Sequence, residues 1–312
     1  MRSLSFLAAW SALLTASRAL PVKDVLVGRQ AAASSIYKLP GSAWIENLVV
    51  RPSGELLLAR LDTPELWTYD PATKTGAKVP VTFTDALSLT GITEVAPDVY
   101  AVVAGNFSTR GFTSAAGSWA VWSVDLSNAA PQATLVKRVP ESAFFIGVAP
   151  LGNDSILVAD AGKATLYRMD LATGAYSVAL ADATMKAPAQ GSLVEGVHGL
   201  KYQNGIAYFT NTFGGGFYKV AVDAATGRAT GTPTEIANLK MAEDFVVAPD
   251  GSGFYVAQPN ANAVTKVTPS GKTSKAASAS SCSSVAFGRG TSDKNTLYIS
   301  TTNGAVFSVT IG

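Results

Sequence analysis

From Glu46 onward the chain keeps returning to one pattern: a short apolar strand, a turn built on Pro, Asp, Asn or Gly, a second apolar strand, and a third ending in Asp or a basic residue. One copy runs from Glu46-Asn47-Leu48-Val49-Val50 through Arg51-Pro52-Ser53-Gly54 and Leu56-Leu57-Leu58-Ala59 to Leu66-Trp67-Thr68-Tyr69-Asp70. Another runs from Phe245-Val246-Val247 through Ala248-Pro249-Asp250-Gly251 and Phe254-Tyr255-Val256-Ala257 to Val267. His198-Gly199-Leu200, Asn204-Gly205, Ala207-Tyr208-Phe209-Thr210 and Phe217-Tyr218-Lys219-Val220 make a third, and looser copies begin near Ile92, Phe145 and Val285. Six units across residues 20–312 give about 49 residues each, the spacing of propeller blades. The segments are short, β-branched or aromatic, and closed by turn residues, as strands are. The expected fold is therefore all-β, a single six-bladed β-propeller over 20–312. A ring leaves only short, protected sheet edges, which an open array of small sheets would not. The last unit, Leu297 to Ile311, is one strand short, and Ser35-Ile36-Tyr37-Lys38-Leu39 can supply the missing strand and lock the ring.

Residues 1–19 read as a secretory signal: Arg2, an apolar stretch from Leu4 to Leu14, then small residues through Ala16, Ser17 and Ala19. That stretch is too short to span a bilayer comfortably, so no stable membrane insertion is expected after cleavage. The expected location is the secretory pathway, secreted or vesicular. Two sequons fit that route, at Asn106 and Asn153, which are the expected glycosylation sites. Cys282 is the only cysteine, so no intramolecular disulfide forms, and a buried small hydrophobe is its simplest reading. Lysine and arginine number 24 against 22 acidic residues, without runs of either sign. Phosphate backbones demand a clustered basic stripe, so no nucleic-acid partner is expected. A small molecule is the expected partner.

In a propeller the innermost strand of each blade starts at the channel, so residues at equivalent starts converge. The turn glycines serve as a ruler. Seven residues before Gly54, Gly205 and Gly251 stand Asn47, His198 and Asp244; eight before stand Glu46, Val197 and Glu243. Adjacent strand residues face opposite sides, and the first register is polar in all three blades. Asn47, His198 and Asp244 are therefore the expected catalytic residues. Glu46 and Glu243 stay as substrate-binding candidates because blade starts often bulge, and Glu94, from Gly91-Ile92-Thr93-Glu94, joins them.

His198 is the only histidine, so zincin motifs and three-histidine metal sites are excluded. No Gly-x-Ser-x-Gly elbow presents a serine to it. His198 is read either as an acid–base group or as a hydrogen-bonded structural histidine. Residues 187–192, before it, suit a lid, and 106–118 suit a rim loop. Trp119 and Trp122 read as blade packing.

Four segments carry a resemblance: Trp44-Ile45-Glu46-Asn47-Leu48, Gly91-Ile92-Thr93-Glu94, Gly196-Val197-His198-Gly199-Leu200 with Tyr208-Phe209-Thr210-Asn211, and Glu243-Asp244-Phe245. There the chain resembles the senescence-marker/gluconolactonase-like six-bladed propellers, and within them a fungal, secretory branch. The lactonases among them bind one divalent cation on the channel axis through Glu, Asn and Asp. Carried over, that implies an alternative metal set of Glu46, Asn47 and Asp244, or Glu243 in place of its neighbour. His198 stands where that family has a fourth-blade asparagine, and Ile146 falls where its third blade has a polar residue. Exchanging oxygen ligands for imidazole weakens a hard-cation site. The fungal branch is similar to the hetero-Diels–Alderases of tropolone–sesquiterpenoid biosynthesis, which join a quinone methide to an alkene and need no metal. The resemblance thus implies, first, a metal-independent pericyclase of secondary metabolism without a cofactor, with Ile146 among its substrate contacts. The alternatives are a lactonase or esterase using one divalent cation, and a non-catalytic binding propeller.

Overall fold

The computed structural model describes residues 32–312; the segment 1–19 lies outside them. Six four-stranded antiparallel sheets form the ring. Their innermost strands are Ile45–Val50, Ser88–Ala96, Phe145–Leu151, Val197–Gln203, Phe245–Val247 and Cys282–Phe287. Each packs beside the next, and the sixth returns to the first, which closes the ring. The sixth blade is completed by Ser34–Lys38, which pairs antiparallel with Ala305–Thr310. The N-terminal closing strand expected from the repeat count is therefore present. Among the described residues the only helical pieces are two short 3-10 turns, Ala183–Met185 and Pro259–Ala261. None is long and apolar enough to cross a membrane.

The core lies between blades. Alternate residues of each sheet point to its two faces, and both faces are covered by neighbours. The strand Leu56–Arg60 accordingly reads apolar on consecutive positions and is buried along its whole length. Leu57, Leu89, Val102 and Trp122 join blades one and two. Trp119, Phe145, Leu157 and Phe209 belong to one cluster running through blades two, three and four. Trp119 and Trp122 are packing residues, as their spacing suggested.

At the channel the strands crowd one another. A Cβ on Gly91 would sit 2.0 Å from the Ile146 carbonyl oxygen, and one on Gly147 would sit 2.1 Å from that of His198. Any larger residue there would push neighbouring blades apart. Side chains stitch the same joints: Thr90 Oγ1 donates to the Phe145 carbonyl at 3.0 Å, and Ser283 Oγ to that of Ile45 at 2.6 Å. The strand starts are also bulged, with register shifts at Ile45/Asn47, Leu89/Ile92, Phe145/Val148, Val197/Leu200 and Cys282/Ser284. A bulge lets two successive residues turn toward the axis.

The closing strand is held by aromatic stacking. Tyr37 lies on Tyr69 with ring centroids 4.3 Å apart, and Tyr69 Oη donates to the Ile36 carbonyl at 2.8 Å. Tyr37→Ser is expected to destabilise the fold by about 1–3 kcal/mol, read as a lower midpoint in denaturant unfolding.

Candidate functional site

The bulges sort the channel into two polar layers. In the upper layer, at the start of each blade, stand Glu46, Thr90, Ile146, His198, Glu243 and Ser283. Below it stand Asn47, Gly91, Gly147, Gly199, Asp244 and Ser284. The glycine ruler had put His198 with Asn47 and Asp244; the structure puts it with Glu46 and Glu243. The reason is loop length. Val50 pairs with Leu56, and Gly54 N–H closes its turn on the Arg51 carbonyl, whereas Gln203 pairs with Ile206 across Asn204-Gly205 alone. Arg51 N–H also donates to the Glu55 carbonyl at 2.8 Å, so Gly54 is the third residue of the loop 52–54 and Gly205 the second of 204–205, and counting back from glycine slips by one residue in the fourth blade.

His198 is 1% exposed, and its Nε2 has three carboxylates around it. Glu243 Oε2 lies at 2.8 Å, Glu195 Oε1 at 3.3 Å and Glu46 Oε1 at 3.4 Å. None lies in line with the ring N–H, so these are ion-pair contacts rather than aligned hydrogen bonds, and Nδ1 is enclosed with no partner among the described residues. Trp44 Nε1 donates to Glu46 Oε2 at 2.8 Å and fixes the remaining carboxylate face. Burial, the largest single influence on His198, opposes a charged imidazole. The Coulombic pull of Glu243, with Glu195 and Glu46, overrides it and holds His198 well above its ordinary 6.5. For Glu243, burial leads and pushes the carboxyl up to about 7; the imidazole pulls it down, and Glu195 and Glu46 push it up again. The group therefore holds an exchangeable proton near neutral pH, the condition for general acid–base work.

Above this floor opens a cavity of about 550 Å³. Trp44, Phe107, Phe112, Phe144 and Phe213 form its aromatic wall, and Ile146 and Met241 add aliphatic surface. Glu46, Glu195 and Glu243 reach it from below. Phe107 and Phe112 come from the 106–118 excursion, a small hairpin of Phe107–Ser108 with Thr113–Ser114. Gln190 and Leu193 come from a second hairpin of Ala189–Gln190 with Leu193–Val194. The two hairpins meet where Ser192 Oγ lies 3.4 Å from the Phe112 carbonyl oxygen, so both loops singled out in the sequence roof the site.

The other candidates fall elsewhere. Asp244 lies in the lower layer, where Lys201 Nζ donates to Oδ1 at 2.6 Å and Ser284 Oγ to Oδ2 at 2.7 Å. Asn47 Oδ1 is 3.4 Å from the same Ser284 Oγ. The set Glu46, Asn47 and Asp244 therefore does not converge, and the oxygens of Asp244 are already engaged. Glu94 leaves the site altogether: four residues past Thr90 on an extended strand is about 13 Å, and there it pairs with Arg289 at the opposite mouth. Cys282 is buried, its Sγ donates to the Ala263 carbonyl, and burial raises its thiol to about 11, so it is no nucleophile. Asn153 is exposed in a hairpin turn, whereas Asn106 has its Oδ1 enclosed. Glu195 was absent from the candidates; its only signal was an acid three residues before the sole histidine.

The donor atoms of Glu46, His198 and Glu243 lie within 4.8 Å of one another. One imidazole with two carboxylates fits a small divalent cation of the zinc class better than calcium, which takes six to eight oxygens. Ile146 contributes no donor, and the imidazole must first lose its proton. With a single histidine in the chain, nitrogen-15 NMR reads the floor directly. One imidazole signal is expected to stay protonated well above pH 6.5 and to move down in Glu243→Gln.

Among proteins of known sequence, one from Phoma sp named "Putative hetero-Diels-Alderase" is 25% identical over 304 residues, 85% of each chain. A second, "Putative hetero-Diels-Alderase asR5" of Sarocladium schorii, is 26% identical over 243 residues, covering 65% of this chain and 59% of that one. Among solved structures, the major Malassezia sympodialis allergen Mala s 1 superposes with a TM-score of 0.65 at 14% identity, over 91% of this chain and 96% of that one, which shows the shared fold. The model of the family described as SMP-30/Gluconolactonase/LRE-like region matches residues 53–303, and the chain belongs to that family.

Proposed function

We propose that the protein catalyses a hetero-Diels–Alder-type cycloaddition between a tropolone-type quinone methide and a terpene alkene. The observation carrying this reading is an aromatic-walled cavity of about 550 Å³ set on one buried histidine and three carboxylates. The names of the two relatives point the same way. A cycloaddition forms its bonds between two substrates and needs no covalent link to the protein. The demands on the site are a shaped apolar volume, which holds both partners in reacting order, and donors at the atom where charge grows. The wall supplies the first. On the floor, the protonated carboxyl of Glu243, which borders the cavity with His198 behind it at 2.8 Å, supplies the second, by hydrogen bonding to the heterodiene oxygen and drawing electron density from the diene. The same proton can assist loss of water from an alcohol precursor, with a neighbouring carboxylate accepting the hydroxyl proton released as the quinone methide forms. The two roofing hairpins exclude water, which would otherwise trap that electrophile.

A precursor of the hydroxymethyl-tropolone class incubated with a macrocyclic alkene is expected to give one stereoisomer with the enzyme and a mixture without it. His198→Ala is expected to lower the rate by about 10²-fold or more, the usual size of a lost acid–base group, while leaving the folded circular dichroism spectrum intact. An unchanged rate or an unselective product would sink the proposal.

A second reading, metal-dependent lactone hydrolysis, is favoured by the convergence of Glu46, His198 and Glu243. In it those three residues would hold a divalent cation, which when bound would polarise a carbonyl oxygen. Metal analysis of the purified protein before and after chelation separates the two readings. Under the cycloaddition reading, chelation is expected to leave product formation unchanged; one retained cation per chain and lactonase activity lost on chelation would favour hydrolysis.

A further inference from the structure

The cavity has a charge that its own residues do not balance. Glu46, Glu195 and Glu243 border it, and among the described residues no lysine or arginine lines it. Among the described residues His198 is the only basic group in contact with the three. Three carboxylates thus face a single imidazole, so acidic groups outnumber basic ones on this floor. Buried charge without a partner is costly, and the imidazole does not resolve it: both ring nitrogens are enclosed, and neither has an aligned bond. The wall above is of the type that complements positive charge. Aromatic faces carry negative potential and attract cations, most strongly when shielded from water. Trp44 connects the two parts, with its Nε1 bonded to Glu46 and its ring 6.1 Å from that of Phe112.

We infer that the cavity is a cage for an organic cation, received with its charge toward Glu46, Glu195 and Glu243 and its apolar body against Trp44, Phe112 and Phe213. This deepens the proposed cycloaddition and rests on it only in taking this cavity as the substrate site. A heterodiene protonated on oxygen is a delocalised cation, so the floor and the wall stabilise its activated form over the neutral one. The same field rejects anions: a tropolonate is excluded, and the substrate enters in its protonated state.

The test uses three probes of one shape or headgroup size: benzyltrimethylammonium, its neutral counterpart neopentylbenzene, and phenylacetate. Binding to the whole protein is read by Trp fluorescence and calorimetry, with chelator present to remove competing metal ions. The ammonium is expected to bind at least about tenfold tighter than the neutral probe, with phenylacetate weakest. In Glu46→Gln and Glu195→Gln the preference for the ammonium is expected to shrink toward parity. Glu195 sits on a loop, so it provides a folded variant should Glu46→Gln fail to fold. Equal affinity for the three probes, tighter binding of phenylacetate, or a charge preference untouched by both substitutions would overturn the inference. No turnover is involved, so lost charge ordering leaves the cycloaddition standing, while intact ordering without turnover removes the cycloaddition alone.

Discussion

The close approach of six inner strands around one axis is the constraint on which the rest of this molecule depends. Where a Cβ at Gly91 or Gly147 would meet a neighbouring carbonyl at about 2 Å, only hydrogen fits. The blades can then share side-chain bonds such as Thr90 to Phe145 and Ser283 to Ile45. Crowding of this kind leaves no room for flat, regular strands. Five of the six starts bulge instead, and a bulge turns a second side chain toward the axis.

That geometry explains why the channel carries two chemistries rather than one. The lower layer is satisfied: Lys201 and Ser284 occupy both oxygens of Asp244. The upper layer is not, because three carboxylates share one imidazole and, among the described residues, no lysine or arginine lines the space above. Polar groups left partly unpaired in a buried place are costly to stability, and they mark where a protein interacts with something outside itself. The ring tolerates such a cluster because its stability comes from inter-blade packing and the stacked closing strand, away from the mouth.

The roof shows the same division between scaffold and function. Both hairpins over the cavity are insertions beside regular blade strands, and they contribute Phe107, Phe112, Gln190 and Leu193 without taking part in the ring. Variation there changes the wall and leaves the closure alone, which is the usual arrangement for loops on a rigid frame.

The sequence by itself determined the all-β class, the six blades and the closing strand before Leu39, and it placed the only histidine at a blade start. Those follow from local information: strand length, turn residues and a regular spacing each act over a few residues. It also brought Glu46, Glu243, His198 and Ile146 into the set of candidates. It could not say which of two adjacent residues faces its partners, since a difference of one loop residue between Pro52-Ser53-Gly54 and Asn204-Gly205 shifts the register and reverses the facing. Nor could it separate Glu94 from the site, or bring in Glu195. Those outcomes depend on bulges and on distances between strands far apart in sequence, and only closure of the ring sets them.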